Sequence, residues 1–488
     1  MDLNRRQLLA LGVAGLATTL VYEPANAAGV AFTHILGRPT GNSISLNLLA
    51  TSAVSAYVEY GFSSSKLSLK TEPQNLEIGN PKTFEITKLK TNSNIYYRIR
   101  SKSAGASAFD IGETNQFKTA KTSGKVFAFT LQGDTHPERA GKMYNADLYA
   151  VTLKNVLSQK PDFHILLGDD FSIDPIIGKN QATQANVEKI YQSHRNSLSA
   201  AAKSVPLFLV NGNHEQAAAY LIDGTDASPA VLAGNARKKY FPVPIANTFY
   251  SADKTEVPFV GTLGDYYSWV WGDATFITLD PYWHSKYAVD NVAGVSNDEN
   301  AANKKNATGA SKTKDLWQVG LGDEQYFWLK KTLETSKSKY IFVFAHHVMG
   351  TGRGAVEVSY DYEWGGRDPS GKTTFKEQRP NWELPIHDLF VKHKVSAFFQ
   401  GHDHIFCHQS RDGVIYQAVP NPADDTFSMF NEDAYKTGTK AANSGHIRVS
   451  VSSSAAKVDY FLAAREQDNN RKNLDVAHTY SLSPRKGF

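Results

Sequence analysis

The amino-acid sequence predicts an α/β protein in which an all-β segment precedes a longer segment of alternating strands and helices. Residues 30–120 carry short alternating stretches such as Ser43–Leu48, separated by turn-forming Gly, Asn, Pro and Ser. From about Lys125, apolar strand-like runs alternate with helical stretches, which is typical of sheets covered by helices. Five of these runs end on residue types that bind metals, and this indicates a metal site.

Each of the five apolar runs leads into a short polar motif. The runs and motifs are Lys125–Leu131 before Gly133-Asp134-Thr135-His136, Phe163–Leu167 before Gly168-Asp169-Asp170, Pro206–Val210 before Asn211-Gly212-Asn213-His214-Glu215, Tyr340–Phe344 before Ala345-His346-His347, and Ser396–Gln400 before Gly401-His402-Asp403-His404. Because ligands bind at the carboxyl ends of strands in open α/β sheets, this series predicts that one edge of a sheet holds metal ions.

Residues 1–27 are predicted to be an export signal that is not part of the fold. Arg5-Arg6 precedes an apolar stretch from Leu8 to Val21, and Ala25-Asn26-Ala27 is a small-residue cleavage site. The arginine pair is typical of a twin-arginine signal, so we expect the twin-arginine export machinery as a partner and a periplasmic or secreted location. An ordinary secretory signal is the alternative. The apolar stretch is short and rich in Gly and Ala, so no membrane anchor is expected.

Composition argues against several classes of partner. The chain has 52 basic and 48 acidic residues, a formal net charge of +4, which favours neither nucleic acid nor a membrane surface. Cys407 is the single cysteine, so no internal disulfide can form. An exported chain of this kind depends on packing and, we expect, on metal binding. Cys407 itself is interpreted as a small buried residue of a strand.

The mature chain is predicted to contain two domains. Residues 28–121 are predicted to form a β-sandwich without a ligand cluster, and they resemble a fibronectin type III domain. Residues 122–488 are predicted to form the catalytic domain, which ends in closing strands. Its predicted helices are Asn145–Ser158, Gln184–Lys203 and Asp323–Thr335. The last of these has an apolar face made by Tyr326, Phe327, Leu329 and Leu333. Residues 285–322 and 349–383 are predicted to be long loops, either functional or disordered.

The residue types at the strand ends suit catalytic metal ions. Carboxylate and imidazole bind Fe, Zn, Mn and related ions, and the motifs contain no thiolate of the kind that structural zinc sites use. In extended backbone, residues two apart point the same way, so Asp134 and His136 can reach one ion. His402 and His404 can serve two neighbouring ions, which lie about 3.5–4 Å apart in dinuclear hydrolytic centres. Asp169 is the natural bridging carboxylate.

Taken together, the motifs resemble those of a known enzyme superfamily. Asp-x-His, Gly-Asp, Gly-Asn-His-Glu, a strand-ending His and Gly-His-x-His, in this order, are similar to the calcineurin-like metallophosphoesterases over residues 125–410. Tyr266-Tyr267-Ser268 and Phe276–Asp280 resemble the purple acid phosphatase branch in particular. The resemblance implies a fibronectin-III-like β-sandwich followed by a four-layer α/β/β/α metallophosphoesterase domain, and hence a metal-dependent phosphoric ester hydrolase.

The resemblance also implies a ligand set for two metal ions, which would be Fe, Zn, Mn or Ca. The first ion would be bound by Asp134, His136 and His404. The second would be bound by Asn213, His346 and His402, and Asp169 would bridge the two. We favour His346 over His347 because Val343-Phe344-Ala345-His346 matches the spacing of the branch, and because strand alternation turns His347 to the opposite side.

His214 is expected to act on the phosphate without binding metal. It would stabilise the transition state or protonate the leaving oxygen, with Glu215 or a backbone carbonyl orienting its ring. Two cations would lower the pKa of a bound water toward neutrality, and the resulting hydroxide would attack phosphorus in line with the leaving oxygen. Asp169 is catalytic in the sense that both ions would depend on it.

Two positions depart from the purple acid phosphatase pattern. Ser172 stands where those enzymes carry the iron-binding tyrosine of Gly-Asp-x-x-Tyr, and His136 stands where their first motif has glycine. An imidazole would then replace the phenolate. We therefore expect a colourless or weakly coloured enzyme that works near neutral to alkaline pH.

Each proposed ligand also has a structural interpretation. Asp134 or Asp169 could cap a helix, Asn213 could form a turn, and a single buried histidine is commonly hydrogen-bonded. These interpretations do not explain why such residues follow a strand at every station. Histidines without that placement are interpreted as structural, namely His164, His194, His387, His393 and His446.

The expected substrate is a small phosphorylated molecule, with a phosphate monoester favoured and no nucleic acid partner required. A phosphodiesterase or nucleotidase is the alternative, and a non-catalytic exported binding protein is a remote one. Side chains that could contact a substrate fall into two groups. Aromatic residues that could stack on a base are Tyr282, Trp283 and His284, and arginines that could bind a terminal phosphate are Arg139, Arg353 and Arg367. Core packing and solvated surface charge are the respective structural alternatives.

Overall fold

The computed structural model describes residues 30–285, 287, 315–348, 352–368 and 370–487. The predicted export signal lies outside these residues, as does most of the predicted loop 285–322. Across the described ranges, none of the helices combines the length and apolar character needed to cross a bilayer.

The strands are short, and most lie in three sheets. In chain order the first are β1 (Phe32–Gly37), β2 (Ile44–Ala50), β3 (Val54–Gly61), β4 (Leu69–Lys70), β5 (Gln74–Leu76), β6 (Lys82–Ile86), β7 (Asn94–Ser103), β8 (Asp110–Ile111), β9 (Asn115–Lys118), β10 (Phe127–Gln132), β11 (Phe163–Leu166) and β12 (Leu207–Leu209). The others are β13 (Ser251–Ala252), β14 (Glu256–Val257), β15 (Gly261–Thr262), β16 (Tyr267–Trp271), β17 (Ala274–Thr278), β18 (Tyr340–Phe344), β19 (Ala397–Gln400), β20 (Phe406–Arg411), β21 (Val414–Ala418), β22 (Thr439–Ala441), β23 (Gly445–Val451), β24 (Ala456–Leu462) and β25 (Val476–Leu482).

The α-helices are α1 (Ala146–Ser158), α2 (Asp174–Ile177), α3 (Gln184–Ala202), α4 (Pro229–Tyr240), α5 (Gly322–Thr335), α6 (Tyr362–Gly365), α7 (Phe375–Gln378) and α8 (Ile386–Lys392). The three predicted helices are therefore present within one residue of their expected ends. Asn145 caps α1 and Thr183 caps α3, each accepting a hydrogen bond from a backbone N–H of the first turn.

Two mixed sheets form the centre of the molecule. One has nine strands in the order β25-β24-β23-β10-β11-β12-β1-β2-β6, and the other has eight in the order β13-β16-β17-β18-β19-β21-β20-β22. The central strands β10, β11 and β12 run parallel, as do β17, β18, β19 and β21. In each sheet, the carboxyl ends of these parallel strands therefore point to a common edge.

An aromatic core holds the two sheets face to face. Phe129 of β10 and Phe163 of β11 contact Phe276 of β17 edge-on, with ring centroids 5.1 and 5.2 Å apart. Phe208 of β12 stacks on Trp269 of β16 at 4.0 Å. Such contacts add about 0.5–1.5 kcal/mol per pair to the free energy gained by burying the rings.

Helices cover the outer faces of both sheets. Leu166 of β11 and Leu198 of α3 share one apolar cluster, to which Ile341 of β18 and Leu389 of α8 also belong. In β18, Tyr340, Phe342 and Phe344 face the opposite sheet while Ile341 and Val343 face the helices, as period-two alternation requires. The predicted four-layer α/β/β/α arrangement is confirmed.

The predicted apolar face of α5 was wrong at one residue. Tyr326, Leu329 and Leu333 are fully buried, whereas Phe327 is 44% exposed. Positions 326, 329 and 333 follow the helical repeat, and position 327 lies about 100° around the helix from Tyr326, outside the buried stripe.

The N-terminal segment is a β-sandwich that shares one of its sheets with the larger domain. Its outer sheet contains β3, β4, β5, β7, β8 and β9, and its inner strands β1, β2 and β6 extend the nine-stranded sheet. β1 runs parallel to β12, with Gly37 opposite Leu207. The buried Arg195 of α3 reinforces this junction by donating to the carbonyl oxygens of Thr33 and Asn47 at 3.0 and 2.7 Å. The domain boundary expected near residue 121 stays a prediction, and that part of the chain connects β9 of the outer sheet to β10 of the nine-stranded sheet.

Candidate metal centre

The five polar motifs converge at one end of the molecule, but they come from both sheets. β10, β11 and β12 carry the first three motifs, and β18 and β19 of the facing sheet carry the other two. The expectation of a single sheet edge was therefore wrong. The sequence between residues 250 and 280 starts a second sheet that packs on the first, so its strand ends lie opposite those of the nine-stranded sheet.

Glycines allow the motif loops to approach one another closely. A Cβ on Gly212 would lie 2.2 Å from Oδ1 of Asp169, and a Cβ on Gly401 would lie 2.4 Å from Oδ1 of Asp134. Gly168 has a φ of 97° and would place a Cβ 2.5 Å from the nitrogen of Gly212. Only glycine fits such contacts. The glycines of these motifs therefore serve the spacing of the site, in addition to turning the chain.

Asp134, His136 and His404 form a buried group. Oδ2 of Asp134 lies 2.9 Å from Nε2 of His404 and 3.8 Å from Nε2 of His136. One potential ligand atom from each residue lies within 4.8 Å of those of the other two. Oδ1 of Asp134 accepts a hydrogen bond from the His402 backbone N–H at 2.8 Å, which links this group to the next motif.

A second group contains Asn213, His346 and His402. Nε2 of His346 lies 3.1 Å from Oδ1 of Asn213 and 3.2 Å from Nδ1 of His402. Nδ1 of His346 lies 2.7 Å from the carbonyl oxygen of Leu167. A hydrogen bond from that nitrogen leaves the Nε2 lone pair directed into the group.

Asp169 lies between the two groups. Its Oδ2 is 3.1 Å from Nε2 of His346 and 3.5 Å from Nε2 of His136. Its Oδ1 accepts the His214 backbone N–H at 2.9 Å. A carboxylate oxygen near one histidine of each group occupies the position that a bridging ligand requires.

With this geometry established, comparison with known proteins identifies the family. Residues 127–406, more than half of the 488-residue chain, match the sequence model of the calcineurin-like phosphoesterases. The chain belongs to the calcineurin-like phosphoesterase family. It is accordingly a metal-dependent phosphoester hydrolase, and the family expectation is confirmed.

Two solved structures share the fold of this phosphoesterase. The purple acid phosphatase PPD1 isolated from yellow lupin (Lupinus luteus) seeds has a TM-score of 0.59 at 15% identity, covering 92% of this chain and 74% of that one. PhoD also has a TM-score of 0.59, at 16% identity, covering 94% of this chain and 90% of that chain. Comparison with curated protein sequences gives no match. At these identities the likeness concerns the fold alone.

The donor set of the phosphoesterase fits the metal ions that its family implies. Nε2 of His347 and Nδ1 of His404 are buried and, within the described residues, accept or donate no hydrogen bond. A buried ring nitrogen without a hydrogen-bond partner lowers the free energy of unfolding unless it binds another group, such as a metal ion. Burial lowers the pKa of His136 and of His402 well below the ordinary value, so both imidazoles are neutral, the form that binds metal.

The expectation that His347 turns away from the site was wrong. β18 ends at Phe344, so strand alternation no longer governs residues 346 and 347. The ring of His347 stacks on that of His402, with centroids 4.2 Å apart. His346, His347 and His402 each place one ring nitrogen within 4.8 Å of the others, which makes His347 an additional potential ligand.

His214 faces the centre, and its ring is oriented by a residue that the sequence did not suggest. Nδ1 of His214 lies 2.5 Å from Oδ2 of Asp174, and Nε2 lies 4.0 Å from Oδ2 of Asp169. The expectation that Glu215 or a backbone carbonyl holds the ring was wrong. Burial alone would lower the pKa of His214, but the Asp169 charge and the Asp174 hydrogen bond raise it to about 9.

Glu215 instead clamps two motif loops together. Its Oε1 accepts the backbone N–H groups of Asp170 and Phe171 at 2.7 and 3.2 Å. Its Oε2 accepts those of Asp169 and Gly212 at 3.0 and 2.6 Å. The side chain is thus committed to the backbone and cannot reach the His214 ring.

Glu138 also lies at the site, although the sequence motifs did not indicate it. Its Oε1 lies 2.8 Å from Nδ1 of His136, so the carboxylate can hold a proton on that nitrogen and leave Nε2 for the ion. The available signal was an acidic residue two positions after a proposed ligand. Such proximity is common without a contact, and only the loop geometry distinguishes this case.

The other residues singled out in the sequence have structural surroundings. Arg353 donates to the His402 carbonyl and to Asp403 at 2.7 and 3.0 Å, and Arg367 lies over the Tyr360 ring. Tyr282 and Trp283 are buried, at 1% and 7% exposure. Ser172 is buried and offers a hydroxyl where a phenolate would be needed, so the expected weak colour stays a prediction.

Replacing Glu215 tests the clamp. Glu215→Gln turns an NH2 group toward two backbone donors, so we expect a loss of about 2–4 kcal/mol in the free energy of unfolding, measured by urea denaturation. We also expect reduced metal retention, because the loops of Asp169 and Asn213 lose their common anchor. Glu377→Gln is the matched control, since the Glu377 side chain is 66% exposed. Equal stability of wild type and Glu215→Gln would show that the clamp is dispensable.

Proposed function

We propose that the protein is an exported phosphatase that hydrolyses phosphate monoesters at a centre of two metal ions. Asp134, His136 and His404 would hold one ion, Asn213, His346 and His402 the other, and Asp169 both. The observation that carries the monoester assignment is the contact between Arg139 and His214 beside this group. Nη2 of Arg139 lies 3.1 Å from Nε2 of His214, and the Arg139 side chain is 32% exposed.

The guanidinium of Arg139, next to His214, suits a terminal phosphoryl group. A monoester phosphate carries up to two negative charges and three free oxygens, whereas a diester phosphate carries one charge and two free oxygens. A guanidinium offers several N–H donors in a fixed plane, which matches an oxygen-rich terminal group. Arg139 is held on the loop by Glu138, whose Oε1 lies 3.4 Å from Nε. The arginine can therefore be directed toward substrate from the same loop that carries His136.

His214 is the residue best placed to act on the leaving oxygen. Its Nδ1–H is directed to Asp174, which holds the ring and favours its protonated form. Gln216 donates to the other oxygen of Asp174 at 2.6 Å, so the carboxylate is itself fixed. When bound, the metal ions supply electrostatic stabilisation of phosphate oxygens and an activated water. The protein side chains orient the ester against them and deliver the proton.

Export is a separate part of the proposal. It rests on Arg5-Arg6, the apolar stretch that follows and the small residues at Ala25-Asn26-Ala27. The proposed location is the periplasm or the medium, and the proposed partner in export is the twin-arginine machinery.

Exchange of Arg139 tests the substrate class. We expect Arg139→Ala to lower kcat/KM for p-nitrophenyl phosphate by about 100-fold, because a charged hydrogen bond to the substrate is lost. The effect on bis-p-nitrophenyl phosphate should be below about fivefold. Arg367→Ala is the control, since that exposed side chain lies over Tyr360. Wild-type preference for the diester, with Arg139→Ala affecting both substrates equally, would favour a phosphodiesterase or nucleotidase.

Removal of the His214 imidazole tests its proposed role. His214→Ala should lower kcat by about 100- to 10,000-fold while the metal content, measured by plasma mass spectrometry, stays unchanged. Asp174→Asn should give a smaller loss in the same direction, since the ring is then poorly oriented. Full turnover of metal-loaded His214→Ala would exclude this role.

Export can be tested on the expressed full-length chain. We expect the mature protein to begin near Ala28, as determined by intact-mass measurement of periplasmic and medium fractions. Replacement of Arg5-Arg6 by Lys-Lys should retain the precursor inside the cell. Unchanged export of the Lys-Lys variant would indicate an ordinary secretory signal instead.

A further inference from the structure

A second group of potential metal ligands lies outside the catalytic cluster. Asp253 follows β13, Asp265 precedes β16, and His284 lies in the loop after β17. One ligand atom from each of the three residues lies within 4.8 Å of the other two. The group shares no residue with the proposed catalytic ligands, so it does not depend on the proposed function.

The two carboxylates are buried, and each keeps an oxygen without a hydrogen bond. Asp253 and Asp265 are 2% and 1% exposed. Oδ1 of Asp253 accepts the Thr255 N–H at 2.8 Å, and Oδ2 of Asp265 lies 3.3 Å from Nε2 of His284. In the described part of the chain, Oδ2 of Asp253 and Oδ1 of Asp265 have no hydrogen-bond partner of ordinary geometry.

Without a bound cation, this arrangement of buried carboxylates destabilises the folded protein. Burying a carboxylate oxygen without a partner costs free energy, and two such carboxylates close together repel each other. One histidine can balance one negative charge at most. A divalent cation would balance both carboxylates and occupy the two unpartnered oxygens. Neutral imidazole with carboxylate is a ligand set that suits zinc or manganese.

We propose that Asp253, Asp265 and His284 bind an additional divalent cation of the zinc or manganese class. The site would be structural, because it joins three connecting segments of the eight-stranded sheet. Asp280, in the same loop as His284, accepts from Nδ2 of Asn211 at 2.5 Å, and Asn211 precedes the Gly212-Asn213-His214 motif. The cation would therefore support, through Asp280 and Asn211, the loop that carries Asn213 and His214.

The experiment compares metal content and thermal stability of the full chain in four forms. These are wild type, Asp253→Asn/Asp265→Asn, His284→Gln, and the control Asp223→Asn, which changes an exposed aspartate. Each protein is stripped with a chelator, reloaded with Zn²⁺ or with Mn²⁺, and analysed by plasma mass spectrometry. All four are also examined in an Asp169→Ala background, where the catalytic ions are expected to be lost.

Wild type should retain one ion more per chain than the double variant in both backgrounds, and Asp223→Asn should match wild type. His284→Gln should bind this ion at least about tenfold more weakly. The metal-free double variant should have a Tm at or above that of metal-free wild type, because two buried charges are gone, and this excludes misfolding as the cause. Equal ion counts in wild type, the double variant and His284→Gln would overturn the proposal and indicate a histidine–carboxylate network without metal.

Discussion

The carboxylate of Glu215 fixes the two loops on which the rest of the centre depends. Four backbone N–H groups, from the loops after β11 and β12, converge on its two oxygens. The clamp holds Asp169 in a left-handed conformation with a φ of 58°, a strained state that needs support from its surroundings. Once Asp169 is fixed, its two oxygens set the positions of the His214 backbone and of the ring nitrogens of His136 and His346.

The clamp fixes loops of the nine-stranded sheet only, whereas the site is assembled from two sheets. Ligands that follow β10, β11 and β12 meet ligands that follow β18 and β19, and the aromatic residues Phe129, Phe163 and Phe276 hold the two sheets together. Protein interiors are packed as closely as organic crystals, so the distance between the sheets is well defined. The separation of the two ligand groups is thus a property of the core as much as of the loops.

Much of the fold and most of the centre could be predicted from the sequence, because each ligand motif directly follows a strand. Strand ends are local features, and period-two alternation distinguishes the faces of β18. The remaining features depend on contacts that tertiary packing creates. Asp174 lies 40 positions from His214 in the sequence and nothing local points to it. His347 was misplaced because β18 ends at Phe344, so alternation does not extend to residues 346 and 347.

Positive and negative side chains lie on different sides of the centre. Asp134 and Asp169 place negative charge in a buried group of histidines, in which burial lowers the pKa of His136 and of His402, while Arg139 presents positive charge at one side, next to His214. An anion that reaches this side meets donors before it meets the carboxylates. The proposed additional cation at Asp253, Asp265 and His284 would likewise be held by buried carboxylates that lack sufficient hydrogen-bond partners.

The metal content of Asp169→Ala tests the central claim most directly. If one carboxylate bridges two ions, this variant should hold two ions fewer than wild type after reloading, by plasma mass spectrometry, and should lose nearly all phosphate release. Asp170→Asn is a useful companion, because Asp170 is buried beside Asp169 but accepts hydrogen bonds from Thr135 and Gln132. Retention of both catalytic ions by Asp169→Ala would contradict the bridged centre.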